Sequence, residues 1–384
     1  MWFENFKNFK KFNNFNNFKN YIWAFLFLVG KVRSDETFLW SIQNTTGNLM
    51  FQHQPFLLKG INWFGYETPC RIVHGLWARE LDEFLETISD YEYNAIRLPF
   101  SLEVVETWEN PALYDCIGAS SWLKDISVKD TLHIFFEKSK ELGLSILLDF
   151  HSIHQQITPY PWTDDHSTEE VLMVWEKVVQ EFSIYPNLLG IDLKNEPHGD
   201  ITWPLWTEFV DLVIRRITEN CPSFQGLFFV EGLQENNSVW GGSFQNMPRT
   251  WSVYKDPHPR VVFSPHVYGV SVRGDIAMSD TFQQYDEWFG FLHRAHRAVV
   301  IGEVGGFFVT EDMEWHWKLL NYLKKSTKIT DAFYWCLNPD SGDTQGVLYD
   351  DWTTPNPIKL DFHRQLQPNP TLLSFSNITT THLI

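Results

Sequence analysis

The chain has 384 residues, 43% hydrophobic and 20% charged, which is enough apolar material for one large domain. Phe, Trp and Tyr make up 16%, which excludes wholesale disorder, because disordered chains are poor in aromatics. Lys and Arg total 30 against 48 Asp and Glu, a net charge of −18, which argues against nucleic acid or anionic lipid as the main partner.

Residues 1–20 are a low-complexity run of Phe, Asn and Lys, with Phe3, Phe6, Phe9, Phe12, Phe15 and Phe18 every third position. That period matches neither a helical stripe nor strand alternation, so the run reads as repeat expansion rather than a folded element. Lys7, Lys10, Lys11 and Lys19 precede an apolar stretch, Tyr21 to Gly30. A basic region before about ten apolar residues reads as a secretory signal peptide, whereas a membrane span needs about twenty. The expected cut lies between Gly30 and Ser34; an uncleaved anchor is the alternative. Residues 1–33 are set aside on this reading, 34–370 form one domain and 371–384 a tail. The sequons at Asn44, Asn236 and Asn377 fit a secreted glycoprotein. Cys70, Cys116, Cys221 and Cys336 have no metal-binding spacing and allow three pairings. A bridge between the loop-like Cys70 and Cys116 segments is one of them.

Beyond the leader, short apolar runs recur at 55–63, 94–100, 144–150, 188–197, 226–232, 260–268, 298–305 and 331–339. They are brief, rich in Val, Ile, Leu and Phe, and do not alternate, as strands buried on both faces do. Helical patterns lie between them at 78–93, 128–143, 168–183 and 203–220. Gly143 is a stop signal and Pro204 sits just inside a start. Eight strands with intervening helices predict an α/β fold, a (β/α)8 TIM barrel. A doubly wound sheet would bring a glycine-rich phosphate loop, and neither that loop nor a G-x-S-x-G elbow occurs in the sequence.

Catalytic groups of such barrels sit at the C-terminal ends of the strands. Arg97 ends the second run, Asp149 and His151 the third, Asn195, Glu196 and His198 the fourth, and Glu231 the fifth. His266 and Tyr268 end the sixth, Glu303 the seventh, and Trp335, Asn338 and Asp340 the eighth. Glu196 and Glu303 each interrupt an apolar run, so each carboxylate must find partners or lose hydration. One such residue is as readily a buried ion pair with Arg97. Two of them, with His and Tyr converging, point to the paired carboxylates of glycoside hydrolysis. Eighteen tryptophans support this, since an indole ring packs on the C–H face of a sugar. The His151/His154 and His293/His296 pairs lack a consistent third ligand, so neither metal nor cofactor is expected. Trp175 and Trp206, on helical patterns, are read as packing residues.

The segments LKGINWFGYET (58–68), VHGLW (73–77), NAIRLPFS (94–101), LLDFHS (147–152), DLKNEPHG (192–199), FSPHVYG (263–269), IGEVGG (301–306) and FYWCLNPDSGDTQGVLYDDW (333–352) resemble, in order, those of glycoside hydrolase family 5, in its endo-β-1,4-glucanase branch. The resemblance implies a retaining, cofactor-free endoglucanase that uses a two-glutamate double displacement. It makes Glu196 the acid/base and Glu303 the nucleophile. Arg97 and Tyr268 would hold Glu303, Asn195 would bind the sugar 2-hydroxyl, and His266 would lie close to Glu196. His151 and Trp335 would line the cleavage subsite, with Trp63 and Trp240 as further sugar platforms. Val304 replaces a Phe common in the family, and the loop 153–167 departs from its pattern. The partner on this reading is a β-glucan, the chain is a monomer, and neither nucleic acid nor membrane is bound unless the leader remains as an anchor. The rivals are a hydrolase of another β-glycan (mannan, xyloglucan or β-1,3-glucan) and a glycan-binding protein without catalysis.

Overall fold

The structure, a computed structural model, describes residues 39–154, 158–256 and 258–375. The described residues belong to one compact unit, which begins at Leu39. The expected leader over 1–33 and the Asn377 sequon lie outside the described residues.

Strands β1 (Trp40–Gln43), β2 (Asn48–Phe51) and β3 (Gln54–Pro55) form a small antiparallel sheet. The main sheet follows: β4 (Lys59–Asn62), β5 (Ala95–Ser101), β6 (Ser145–Ser152), β7 (Leu188–Asp192), β8 (Leu227–Val230), β9 (Val261–Phe263), β10 (His266–Tyr268), β11 (Ile301–Gly305) and β12 (Ala332–Tyr334). Every pairing in it is parallel, in the order β10-β11-β12-β4-β5-β6-β7-β8-β9. The two outer strands are halves of the sixth apolar run, parted at Ser264-Pro265. Proline lacks the N–H that a continuous ladder needs. The Phe263 N–H donates to Ala298 O at 2.9 Å and the Val300 N–H to Phe263 O at 3.1 Å, so the sheet closes into the expected eight-stranded barrel. All seven residues of β5 are buried, which is why its sequence reads as one apolar run rather than an alternation.

Helices Leu81–Asp90, Val128–Glu141, Thr168–Phe182 and Trp203–Asn220 occupy the four expected positions. The Ser127 hydroxyl caps the second by accepting from the Asp130 N–H, and Ser167 with Glu170 closes a capping box on the third. Gly143 has φ +73°, and a Cβ there would come within 2.4 Å of Leu373 O, so no other residue fits this turn. The fifth crossover departs from the pattern, with only a four-residue helix, Ser252–Lys255. Its sequence, ENNSVWGGS, offers turn residues and no helical period. This loop supplies one wall of the cleft described below.

One core lies between barrel and helices. The other fills the barrel floor, where Leu147, Leu189, Phe229, Val262, Val300 and Phe333 meet Trp40, Phe51 and Phe56 of the small sheet. The Trp40 indole N–H donates to Pro186 O at 3.3 Å. Residues 371–375, expected in the tail, pack on the body: Thr371 bonds Leu57 in both directions and Phe375 is 4% exposed against Phe51. Cys70 and Cys116 are bridged across a separation of 46 residues, and Cys221 and Cys336 are buried free thiols. Among the described residues no helix is long and apolar enough to cross a membrane.

Candidate active site

Arg97 organises the mouth of the barrel. Its side chain is 0% exposed. Nε donates to Asp192 at 2.9 Å, and Nη1 to Asn62 Oδ1 at 3.0 Å and Glu303 Oε1 at 2.6 Å. Nη2 donates to Asn195 Oδ1 at 3.0 Å and Glu231 Oε1 at 3.2 Å, and lies 3.1 Å from Asp149. Burial disfavours the cation, but Asp149, Asp192, Glu303 and Glu231 outweigh it and hold the guanidinium charged well above the ordinary arginine range. Asp192 answers this crowding. Burial, opposed by Arg97 and reinforced by Glu231 and Asp149, pushes its carboxyl well above the usual range.

Both oxygens of Glu303 are held. Arg97 takes Oε1, and the Tyr268 hydroxyl donates to Oε2 at 2.6 Å. Burial, then Glu303 and Glu196, keep that phenol protonated far above its ordinary range. Glu196 is half-buried, and its side chain is 15% exposed. His266 stands between the two, with Nδ1 at 3.0 Å from Glu196 Oε1 and 3.3 Å from Glu303 Oε2. Burial opposes charge on this ring, but Glu231, Glu303 and Glu196 outweigh it and raise it well above the usual histidine range. Oxygens of Glu196 and Glu303 lie within 4.8 Å of each other and of the His266 nitrogen. That is inside the separation of about 5–5.5 Å of retaining enzymes and short of the roughly 6.5–9.5 Å that leaves room for a water in inverting ones.

Asn195, Glu196, Tyr268 and Glu303 open onto a cleft of about 740 Å³. His151 stacks on Trp335 at 5.8 Å, and Trp335 on Phe64 at 5.7 Å. His151 Nδ1 faces Asp149 Oδ2 at 2.7 Å, and the Asn195 amide lies 3.4 Å from Nε2. From the loop after β8, Trp240 is 37% exposed and stacks on His198 at 3.8 Å. Arg97, Asn195, Glu196, His266, Tyr268, Glu303, His151 and Trp335 therefore converge, and Trp240 lines the same cleft.

Trp63 does not join them, and its expected role as a sugar platform is corrected. It is 0% exposed, its ring packs on Phe84 at 5.1 Å and Phe135 at 5.7 Å, and its N–H donates to His74 O. Along this strand Asn62 turns inward to Arg97, so its neighbour must turn outward to the helices. Phe64, one residue on, is the ring that reaches the cleft. Glu67 also lines it, and burial, with His151 opposing, raises its carboxyl above the usual value. Phe64, Glu67 and Glu231 carried no assigned role in the sequence. Trp175 and Trp206 are packing residues, as expected, with N–H groups donating to Leu193 O and Glu231 O. Asn44 and Asn236 are exposed, whereas Ser238 of the second sequon is buried.

Among the described residues, two groups gather three ligand atoms within 4.8 Å: Glu196, His266 and Glu303, and Asp149, Asp192 and Glu231. In the second, Arg97 already takes the place a cation would fill. In the first, His266 Nδ1 already lies between the two carboxylates, at 3.0 and 3.3 Å.

A parallel barrel with two carboxylates this close at its mouth, beside stacked rings, is a glycoside hydrolase. The family profile "Cellulase (glycosyl hydrolase family 5)" matches residues 52–341. An endoglucanase of Paenibacillus polymyxa is 33% identical over 330 residues, covering 79% of this chain and 81% of that protein. The major extracellular endoglucanase of Xanthomonas campestris pv. campestris is 30% identical, covering 86% and 71%. A hyperthermophilic endocellulase from Pyrococcus horikoshii superposes with TM-score 0.76 at 30% identity, covering 86% of this chain and 98% of that one. The chain belongs to glycosyl hydrolase family 5, in its endoglucanase branch, and is a retaining enzyme.

Proposed function

We propose that this enzyme cuts internal β-1,4 bonds of cellulose-type glucans, with Glu303 as nucleophile and Glu196 as acid/base. In the first step a Glu303 oxygen attacks the anomeric carbon as the bond to the leaving oxygen breaks, and Glu196 gives its proton to that oxygen. In the second, Glu196 takes a proton from water, the water oxygen attacks the same carbon, and Glu303 departs, restoring the original configuration. Arg97 and Tyr268 hold the two oxygens of Glu303 in place. Asn195, pinned by Arg97, meets the sugar 2-hydroxyl, a contact that tightens in the transition state. His151 and Trp335 form the floor of the cleavage subsite, and Trp240 stacks on a neighbouring sugar.

The observation that carries this reading is the close carboxylate pair in a cleft whose rings come from well-separated strands, Trp335 after β12 and Trp240 after β8. Rings on both sides suit a polymer threading through. The names of the relatives support the substrate: the Pyrococcus endocellulase is described in complex with cellotetraose. Secretion, cleavage of the leader near Gly30 to Ser34, a monomeric state and glycans on the exposed sequon asparagines belong to the same proposal. The test is reducing-end release and product sizing on carboxymethylcellulose, mannan, xyloglucan and laminarin. Carboxymethylcellulose is expected to be cut fastest, with a rapid fall in viscosity. Preference for another polymer overturns the substrate, and release of the disaccharide alone overturns the internal cutting.

A further inference from the structure

Glu231 is 0% exposed at the end of β8, touches no part of the cleft, and yet joins three of its groups. Its Oε2 accepts the backbone N–H of Glu196 at 2.7 Å. Its Oε1 accepts from Arg97 Nη2 at 3.2 Å and lies 3.1 Å from His266 Nε2. Glu196 needs such a hold, because its backbone is left-handed with φ +46°, a region that glutamate enters only when its surroundings impose it. His266 needs it too, since the ring edge opposite Glu231 faces both Glu196 and Glu303. Glu231 is itself clamped from two sides. Trp206, on the outer helix, donates to its carbonyl at 2.9 Å. Gly241, with φ +69°, passes so close that a Cβ there would lie 2.3 Å from Oε2.

We propose that Glu231 is a positioning residue that sets the acid/base in place, fixing the backbone of Glu196 and the ring of His266 with one carboxylate. It acts on the proton delivered to the leaving oxygen rather than on the attack by Glu303, whose own oxygens are held by Arg97 and Tyr268. The assignment rests on the roles proposed above for Glu196 and Glu303.

The test compares two leaving groups. A β-1,4-linked cello-oligosaccharide leaves as a poor alkoxide and needs the proton; a dinitrophenyl β-cello-oligosaccharide leaves without it. In Glu231→Gln, kcat/KM is expected to fall about a hundredfold on the first, the size of a loss from misplacing a catalytic group by an ångström. On the second it should change by less than about threefold, because the general acid is not required there. Gly241→Ala, which pushes a methyl into Oε2 and removes no charge, is expected to give the same selective loss, so the idea stays testable if Glu231→Gln does not fold. Equal loss on both substrates means a structural role and overturns the proposal, as does near-normal turnover of the oligosaccharide by both variants. If the wild type prefers another glycan, the substrate reading fails. The same ratio measured with that glycan and its dinitrophenyl glycoside still decides the case of Glu231.

Discussion

At the barrel floor, Leu147, Leu189, Phe229 and Phe333 meet the rings of Trp40 and Phe56, all essentially hidden from water. At the mouth of the same barrel, Arg97 is ringed by Asp149, Asp192, Glu231 and Glu303. Asp192 Oδ1 there accepts no hydrogen bond, and Glu196 sits at φ +46°. Buried ions and strained backbone cost stability that the mouth cannot recover locally. Apolar burial at the floor offsets that cost. The pair teaches a division of labour: changes at the mouth should strike turnover and spare folding, and changes at the floor should do the reverse.

The sharpest way to break this division is Glu303→Gln. Turnover is expected to fall about 10⁴-fold or more, as when a nucleophile is lost elsewhere, with the melting temperature unchanged or raised. Near-normal release of reducing ends would overturn the nucleophile assignment. Azide should revive Glu303→Ala and give a glycosyl azide of inverted configuration.

At the floor, Phe333→Ala should cost about 3–5 kcal/mol of unfolding free energy by opening a cavity, with kcat per folded molecule preserved. A urea titration beside an activity assay checks both halves. If kcat falls in proportion, the two ends are coupled and the division is wrong.

Replacing Cys70 and Cys116 by Ser should cost about 3–4 kcal/mol, the loop-closure contribution expected for a bridge of this span. Thermal melts of the double variant read it directly, and activity at low temperature should persist. Trp240→Ala should raise KM about tenfold, or roughly 1.4 kcal/mol, with kcat little changed, because one stacking ring is lost and the reacting groups stay. Unaltered KM on long oligosaccharides would remove Trp240 from the binding surface.

A last expected effect is a slope of stability with pH. Burial lifts the Asp331 carboxyl from 3.8 to about 7, against hydrogen bonds from the Leu58 N–H and Gln367. The folded state therefore keeps this proton to higher pH than the unfolded chain does. Its contribution is complete below about 4 and is lost as pH rises towards 7. Asp331→Asn should flatten the fall in urea midpoint across that window. Identical slopes in both proteins would show that the carboxyl plays no part.

Much of the mouth was legible in the sequence because charge inside an apolar run is conspicuous. Glu196 and Glu303 stand out for that reason, and strand order brings Arg97, His266 and Tyr268 to the same place. Trp63 was misread because composition does not say which way a ring points. The alternation started by Asn62 sends it outward and leaves the platform to Phe64. Glu231 was visible as a strand end, but its links to Glu196 and His266 join separate strands and leave no local pattern. The floor was least legible. Trp40 meets Pro186, and Phe51 meets Phe375, across separations no sequence window spans. The break at Pro265 has a local signal, a proline in a would-be central strand.

The strap formed by Thr371 to Phe375 lies against Leu57 and Phe51, on the face remote from the two glutamates. Leu39 leads directly into the same sheet. Both borders of the described body thus sit behind the enzyme, like a handle opposite a blade. A bead, a scaffold or an added protein grafted at either border would leave the groove open to incoming polymer.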